Sequence, residues 1–241
     1  MRIGISVVVF AFLFLFSAAL DAEELERLLE RHYEARGGLE QLREVQSLKM
    51  TGTNRFQEQE ISVKYLAKRP NLLRMESSSP QMGMIRAFDG ERPWQAVSGP
   101  GASLRTVPMN EQDALEVIRE SDFDGPLVDY EEKGHQIEYL GAETLGEREA
   151  HLLRVAEAAG VTDTYYLDAK TFLVVLKAID VAVEGGQIAF HIYYDEFREV
   201  DGVVFPSRTT ATSDGQTVFV GTMSEIEVNP DLDRKLFMRP E

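Results

Sequence analysis

The chain has 241 residues, 41 acidic against 25 basic, no cysteine, and a hydrophobic fraction of 44%. That fraction excludes a disordered chain and a bundle of membrane spans. The missing cysteine excludes a disulfide framework and a lipid-attachment cysteine. The acidic excess repels nucleic acid, so binding to a phosphate backbone is excluded too.

Behind Met1-Arg2 runs an apolar stretch from Ile3 to Leu20, the pattern of a secretory signal. Ser17-Ala18-Ala19 sets small residues at −3 and −1, so cleavage after Ala19 is the first expectation and cleavage after Ala22 the second. The stretch approaches the length that spans a bilayer, so an uncleaved inner-membrane anchor facing the periplasm is the alternative. Without residues 1–19, 24 basic and 41 acidic residues remain, a net of −17. A single domain is expected over 20–241, with a helical segment at 20–46, a curled sheet over 47–241 and a helical insertion at 108–134.

The exported part opens on a helix. Leu25, Leu28, Leu29, His32 and Tyr33 follow the spacing i, i+3, i+4, i+7, i+8, one apolar stripe, and Gly37-Gly38 can supply the left-handed ending. Leu39, Leu42 and Val45 suit one further turn. From Ser47 the period becomes two. Ile61, Val63, Tyr65 and Ala67 alternate with Ser62, Lys64, Leu66 and Lys68, which places one side on an apolar interior and the other in water. Strands are expected near 72–78, 83–89 and 92–98, with Asp89-Gly90 as a tight turn.

Gly99-Pro100-Gly101 then breaks the pattern, and NEQDALEVIRES predicts a helix with Asn110 as its cap and Asp113 at the reciprocal position. Strand signals return from 136 to 228, with turns at Glu147, Asp168-Ala169-Lys170, Gly185-Gly186 and Asp214-Gly215. Asp201-Gly202, between YDEFREV and VVFPSRTT, is the strongest hairpin signal, because both central residues of such a turn need φ > 0. About eleven strands must curl or close.

Catalytic chemistry is poorly represented. His32 reads as a core histidine, and His135, His151 and His191 stand in no metal-ligand spacing. Asn229-Pro230-Asp231-Leu232-Asp233 faintly resembles a calcium loop but lacks its glycine, and Pro240 stands where the bidentate glutamate belongs, so turn or capping use is expected. No nucleophile motif occurs. Met75, Met82, Met84 and Met109 cluster near Trp94 and Phe88. Adaptable methionines suit a pocket for varied apolar ligands, although ordinary core filling is the simpler reading.

Four segments together carry a resemblance: ARGGLEQLREVQSLKMTGT (35–53), YYLDAKTFLVVL (165–176), YDEFREVDGVVFPSRTT (194–210) and EIEVNPDLDRKLFMRP (225–240). The chain resembles the LolA-like family of periplasmic carriers that sort lipoproteins to the outer membrane. The resemblance implies a mainly β fold with α, an incomplete antiparallel β-barrel under short lid helices, here 23–36 and 110–120. It also implies a non-enzymatic carrier, without cofactor or metal, whose cavity takes lipoprotein acyl chains or another lipid. Envelope membrane proteins would be donor and acceptor, and a monomer is expected. The alternating apolar sets nominate Leu48, Met50, Val63, Tyr65, Met75, Leu167, Phe190 and Ile192 as cavity residues, with register deciding the face. Two other uses of the scaffold are an envelope sensor or adaptor and, less favoured, a hydrolase.

Overall fold

The computed structural model describes residues 22–183 and 186–240. The expected signal segment 1–19, and Gly185 of the expected Gly185-Gly186 turn, lie outside them. Helix α1 covers 22–35, and its stripe is buried as the spacing requires: Leu25, Leu28, Leu29 and His32 are all in the interior. Gly38 N donates to Tyr33 O and Gly37 N to Glu34 O, with Gly37 at φ 112, so a left-handed glycine ends the helix and absorbs its free carbonyls. Helix α2, Leu39–Glu44, follows at once.

The first run of strands comprises β1 Ser47–Phe56, β2 Gln59–Lys68, β3 Leu72–Ser78, β4 Gly83–Phe88, β5 Pro93–Ser98 and β6 Arg105–Val107. After helix α3, Glu111–Glu120, come β7 Gln136–Leu145, β8 Arg148–Ala156, β9 Thr162–Asp168, β10 Val174–Val183, β11 Gly186–Val200, β12 Val203–Ser213 and β13 Gln216–Val228. All pairings are antiparallel, in the order β6-β5-β4-β3-β2-β1-β13-β12-β11-β10-β9-β8-β7. The result is an open sheet, the incomplete barrel expected, with thirteen strands where about eleven were anticipated. The three-residue edge strand β6 is too short to carry an alternation and falls in the segment expected to be irregular.

Two meanders therefore meet at one seam, β1 against β13, with Leu48 opposite Val228 and Met50 opposite Ile226. Strands β6 and β7 are consecutive in the chain but occupy opposite edges. The connection 108–135 must cross the sheet, and it does so over the inner face. Its helix α3 lies on β4 and β5, with Arg86 paired to Asp113 at 3.1 Å. Asn110 caps that helix as predicted: its side-chain oxygen accepts from Asp113 N at 2.8 Å.

The outer face of β2–β5 is covered by the C-terminal segment. A 3₁₀ turn at Arg234–Phe237, capped by Asp233, buries Phe237 completely. Trp94 donates to Phe237 O at 2.9 Å, and Leu232 packs on Leu66 and Leu72. Trp94 is therefore an outer-face residue, and the expected aromatic–methionine cluster splits. Met75 and Met109 pack on the inner core, while Met82 is exposed.

The turn at Asp201-Gly202 has φ 49 and 79, the two positive angles its sequence demands. It docks on the end of α1: Val204 N donates to Arg36 O at 3.0 Å, and a Cβ on Gly37 would lie 1.9 Å from Gly202 O. Gly37→Ala must push the hairpin away in addition to straining the backbone. We expect it to lower the unfolding free energy by about 2 kcal/mol or more in urea titrations. Gly38→Ala meets no atom within 4 Å and should cost less.

Candidate functional site

Between the crossing segment and the inner face of the sheet lies a cavity of about 940 Å³. Its floor comes from strands on both sides of the seam: Leu48 and Met50 of β1, Tyr65 of β2, Tyr194 of β11 and Phe205 of β12. Its roof is the segment 118–133, with Ile118, Phe123 and Leu127 turned to the same space. Helix α1 closes one flank with His32, and Arg36 lines it just past the helix end.

The crossing segment is fastened at two places. Asp124 receives a bidentate fork from Arg69, at 2.6 and 2.9 Å, while the same guanidinium donates to Val45 O and Leu42 O and lies over the Phe123 ring. One arginine thus ties the roof to the end of α2. At the other side Arg119 bonds Glu157 at 2.5 Å and Asp163 at 2.6 Å, and Lys177 reaches the same Asp163 oxygen at 3.1 Å. The Asp163 side chain is inaccessible to solvent, and its second oxygen has no hydrogen-bond partner. The two carboxylates hold the Arg119 guanidinium protonated well beyond its ordinary range. A buried charge cluster of this kind is stable only while it stays complete.

His32 is buried as a neutral ring, its Nδ1–H donating to Phe172 O at 2.8 Å. Burial, aided by Arg36, lowers its pKa to about 4. This is the core histidine the helical stripe predicts. Burial raises the phenols of Tyr65, Tyr165 and Tyr194 far above neutrality, so all three are uncharged donors and acceptors in the cavity wall. Among the described residues no group of His, Asp or Glu is arranged to hold a metal ion. Asn229 and Asp233 serve as turn and cap, Asn229 accepting from Gln46 N and Asp233 from Lys235 N.

The eight nominated residues divide. Leu48, Met50 and Tyr65 line the cavity. Register puts Val63 and Met75 on the same face, two rows and one strand away from Met50 and Tyr65, with Met75 packed on the inner core. Ile192 pairs with Lys177 and Phe190 with Ile179, on the face of Tyr194 but beyond the cavity wall. Leu167 is sealed under α1 with Leu25 and Leu29, where packing leaves no free surface. The nomination passed over Arg119, Glu120, Asp163 and Lys177. A signal existed for two of them: Lys177 interrupts the apolar run VVLKAIDVAV, and Asp163 stands two residues before Tyr165 on an inward position.

No protein-family model matches the sequence, and no curated protein is significantly similar to it. Solved structures do match. A LolA superfamily protein from Nitrosomonas europaea superposes with a TM-score of 0.58 at 16% identity, over 89% of this chain and 97% of its own. A putative outer membrane lipoprotein-sorting protein domain from Vibrio parahaemolyticus gives 0.57 at 8% identity, over 88% and 95%. A DUF1329 family protein from Desulfovibrio piger gives 0.59 at 10%, over 89% and 97%. The chain has the LolA-like fold.

Asp163→Ala strands Lys177 and half of Arg119 in a dry wall, and we expect a loss of about 3–5 kcal/mol in chemical denaturation. Acid should act through His32. The unfolded ring titrates near 6.5 and the folded one near 4, so the unfolded chain binds the extra proton between these values. Stability is full above pH 6.5 and falls as pH drops towards 4, by about 3 kcal/mol from this group. His32→Gln, which can still donate to Phe172 O, should flatten that part of a stability–pH curve.

Proposed function

We propose that this protein is a non-enzymatic carrier of the envelope that holds the acyl chains of lipoproteins or other lipids in the cavity and passes them between membranes. The observation that carries this reading is the cavity itself. It is about 940 Å³, at the upper end of the roughly 300–1,000 Å³ typical of ligand sites, and the sheet face that floors it continues past it with Val63, Ile192 and Ala211. Each buried CH₂ contributes about 0.8 kcal/mol, so a single chain of ordinary length supplies ample binding energy without a cofactor. The fold shared with a lipoprotein-sorting domain supports the same cargo class. Export by residues 1–19 and a periplasmic location belong to this reading, as does a single domain over 20–241. Of the eight nominated residues, Leu48, Met50 and Tyr65 are the contacts we assign to cargo.

Protein purified from its own envelope should release lipid on solvent extraction, identified by mass spectrometry. The emptied protein should bind an apolar fluorescent reporter such as N-phenyl-1-naphthylamine. Met50→Trp, which fills the floor, should weaken that binding several-fold without unfolding the chain. Absence of both lipid and reporter binding overturns the proposal.

A further inference from the structure

We infer that the cavity recognises an ammonium head group, with the Glu120 carboxylate as its seat. The inference rests on the carrier reading and concerns which amphiphile the cavity prefers.

The cations that line the cavity are already engaged. Arg69 is paired with Asp124, Arg119 with Glu157 and Asp163, Lys133 with Asp122, and Lys177 with Asp163. Arg36 donates to Asp124 O. Glu120, the last residue of α3, also lines the cavity, yet among the described residues its carboxylate takes part in no hydrogen bond or ion pair. Glu132 is unpaired as well, and both side chains keep exposed surface; Glu120 is the one that adjoins a cavity tyrosine, Tyr65, whose hydroxyl donates to its main-chain oxygen. Glu120 keeps exposed surface, yet the protein mass around it is the first cause raising its pKa, with Lys177 and Arg119 opposing and Glu116 and Glu157 adding to the rise.

Tyr65, Tyr165 and Tyr194 share the cavity wall with Glu120. Tyr65 OH donates to Glu120 O at 3.0 Å, and Glu120 is the charge that most disfavours ionisation of both Tyr65 and Tyr194. An unpaired carboxylate in a cavity wall that also holds neutral phenols suits a protonated amine, which pairs with the carboxylate and can lie against an aromatic face. An anionic head would meet an uncompensated carboxylate. A neutral chain would strip water from that carboxylate and leave nothing in its place. The amine has two chemical sources, the ethanolamine head of a phospholipid and the free terminal amine of an acylated peptide.

The test is displacement of N-phenyl-1-naphthylamine from the delipidated protein by dodecylamine, dodecanol and dodecanoate, each below its aggregation concentration at neutral pH. Dodecylamine should displace at about ten-fold lower concentration than dodecanol. Glu120→Gln should abolish that advantage and leave dodecanol unchanged, and Glu120→Asp should keep most of it. Thermal midpoints verify that both variants are folded. Equal displacement by amine and alcohol, a preference for dodecanoate, or an amine advantage that survives Glu120→Gln overturns the head-group inference alone. No displacement by any of the three overturns the carrier reading and this inference together. A preference for lysophosphatidylethanolamine over lysophosphatidylglycerol assigns the amine to lipid. Loss of an acylated peptide's affinity on N-acetylation assigns it to protein cargo.

Discussion

The structure depends on one topological constraint: β6 and β7, neighbours in sequence, sit at opposite edges of a thirteen-stranded sheet. A connection of fewer than thirty residues has to traverse the whole width, and only the inner face of a curled sheet offers a path that short. Once the chain crosses there it roofs the concavity. The cavity is the space left where this roof and α1 fail to fill the curve. No separate lid element had to be added to the fold, because the crossover serves as one.

A roof over an apolar floor needs fastenings that packing alone does not supply, since apolar contacts are not directional. Here the fastenings are ionic and placed at the margins. Arg69 binds Asp124 while also satisfying two carbonyls at the end of α2, so the guanidinium is a joint of three segments. Arg119 binds across to β9 and to the loop after β8. Both pairs are specific in geometry and modest in net energy, because their desolvation offsets much of the attraction. Such contacts define where the segment rests, and parting Arg119 from the inaccessible Asp163 would leave that carboxylate with Lys177 alone.

Much of the frame was legible because it is local. The stripe Leu25, Leu28, Leu29, His32 shows its buried face in its spacing, Asn110 shows its cap, and Asp201-Gly202 shows its turn. Leu48, Met50 and Tyr65 were legible as inward residues because alternation marks a face. Alternation does not say what covers that face, so Leu167, under α1, had the same signature as Met50, over empty space. The Arg119–Asp163 pair joins residues 44 positions apart, and no local period encodes such a pairing. Trp94 was misread for a related reason: strands β3 to β5 bury both faces, since Phe237 and Leu232 cover the outer one.

The seam between β1 and β13 has a consequence for how the molecule assembles. Every other ladder joins strands that are adjacent in the chain, so each meander can form by short loop closures. The seam joins residues as distant as Gln46 and Asn229, 183 positions apart, and contacts of that separation form late and slowly. Since Leu48, Met50 and Met223 of the cavity wall lie on this seam, the cavity comes into being only when the last ladder zips. A ligand that fills it touches both meanders at once. Cargo would then act as a kinetic staple, slowing the opening of the one ladder whose loss divides the sheet in two.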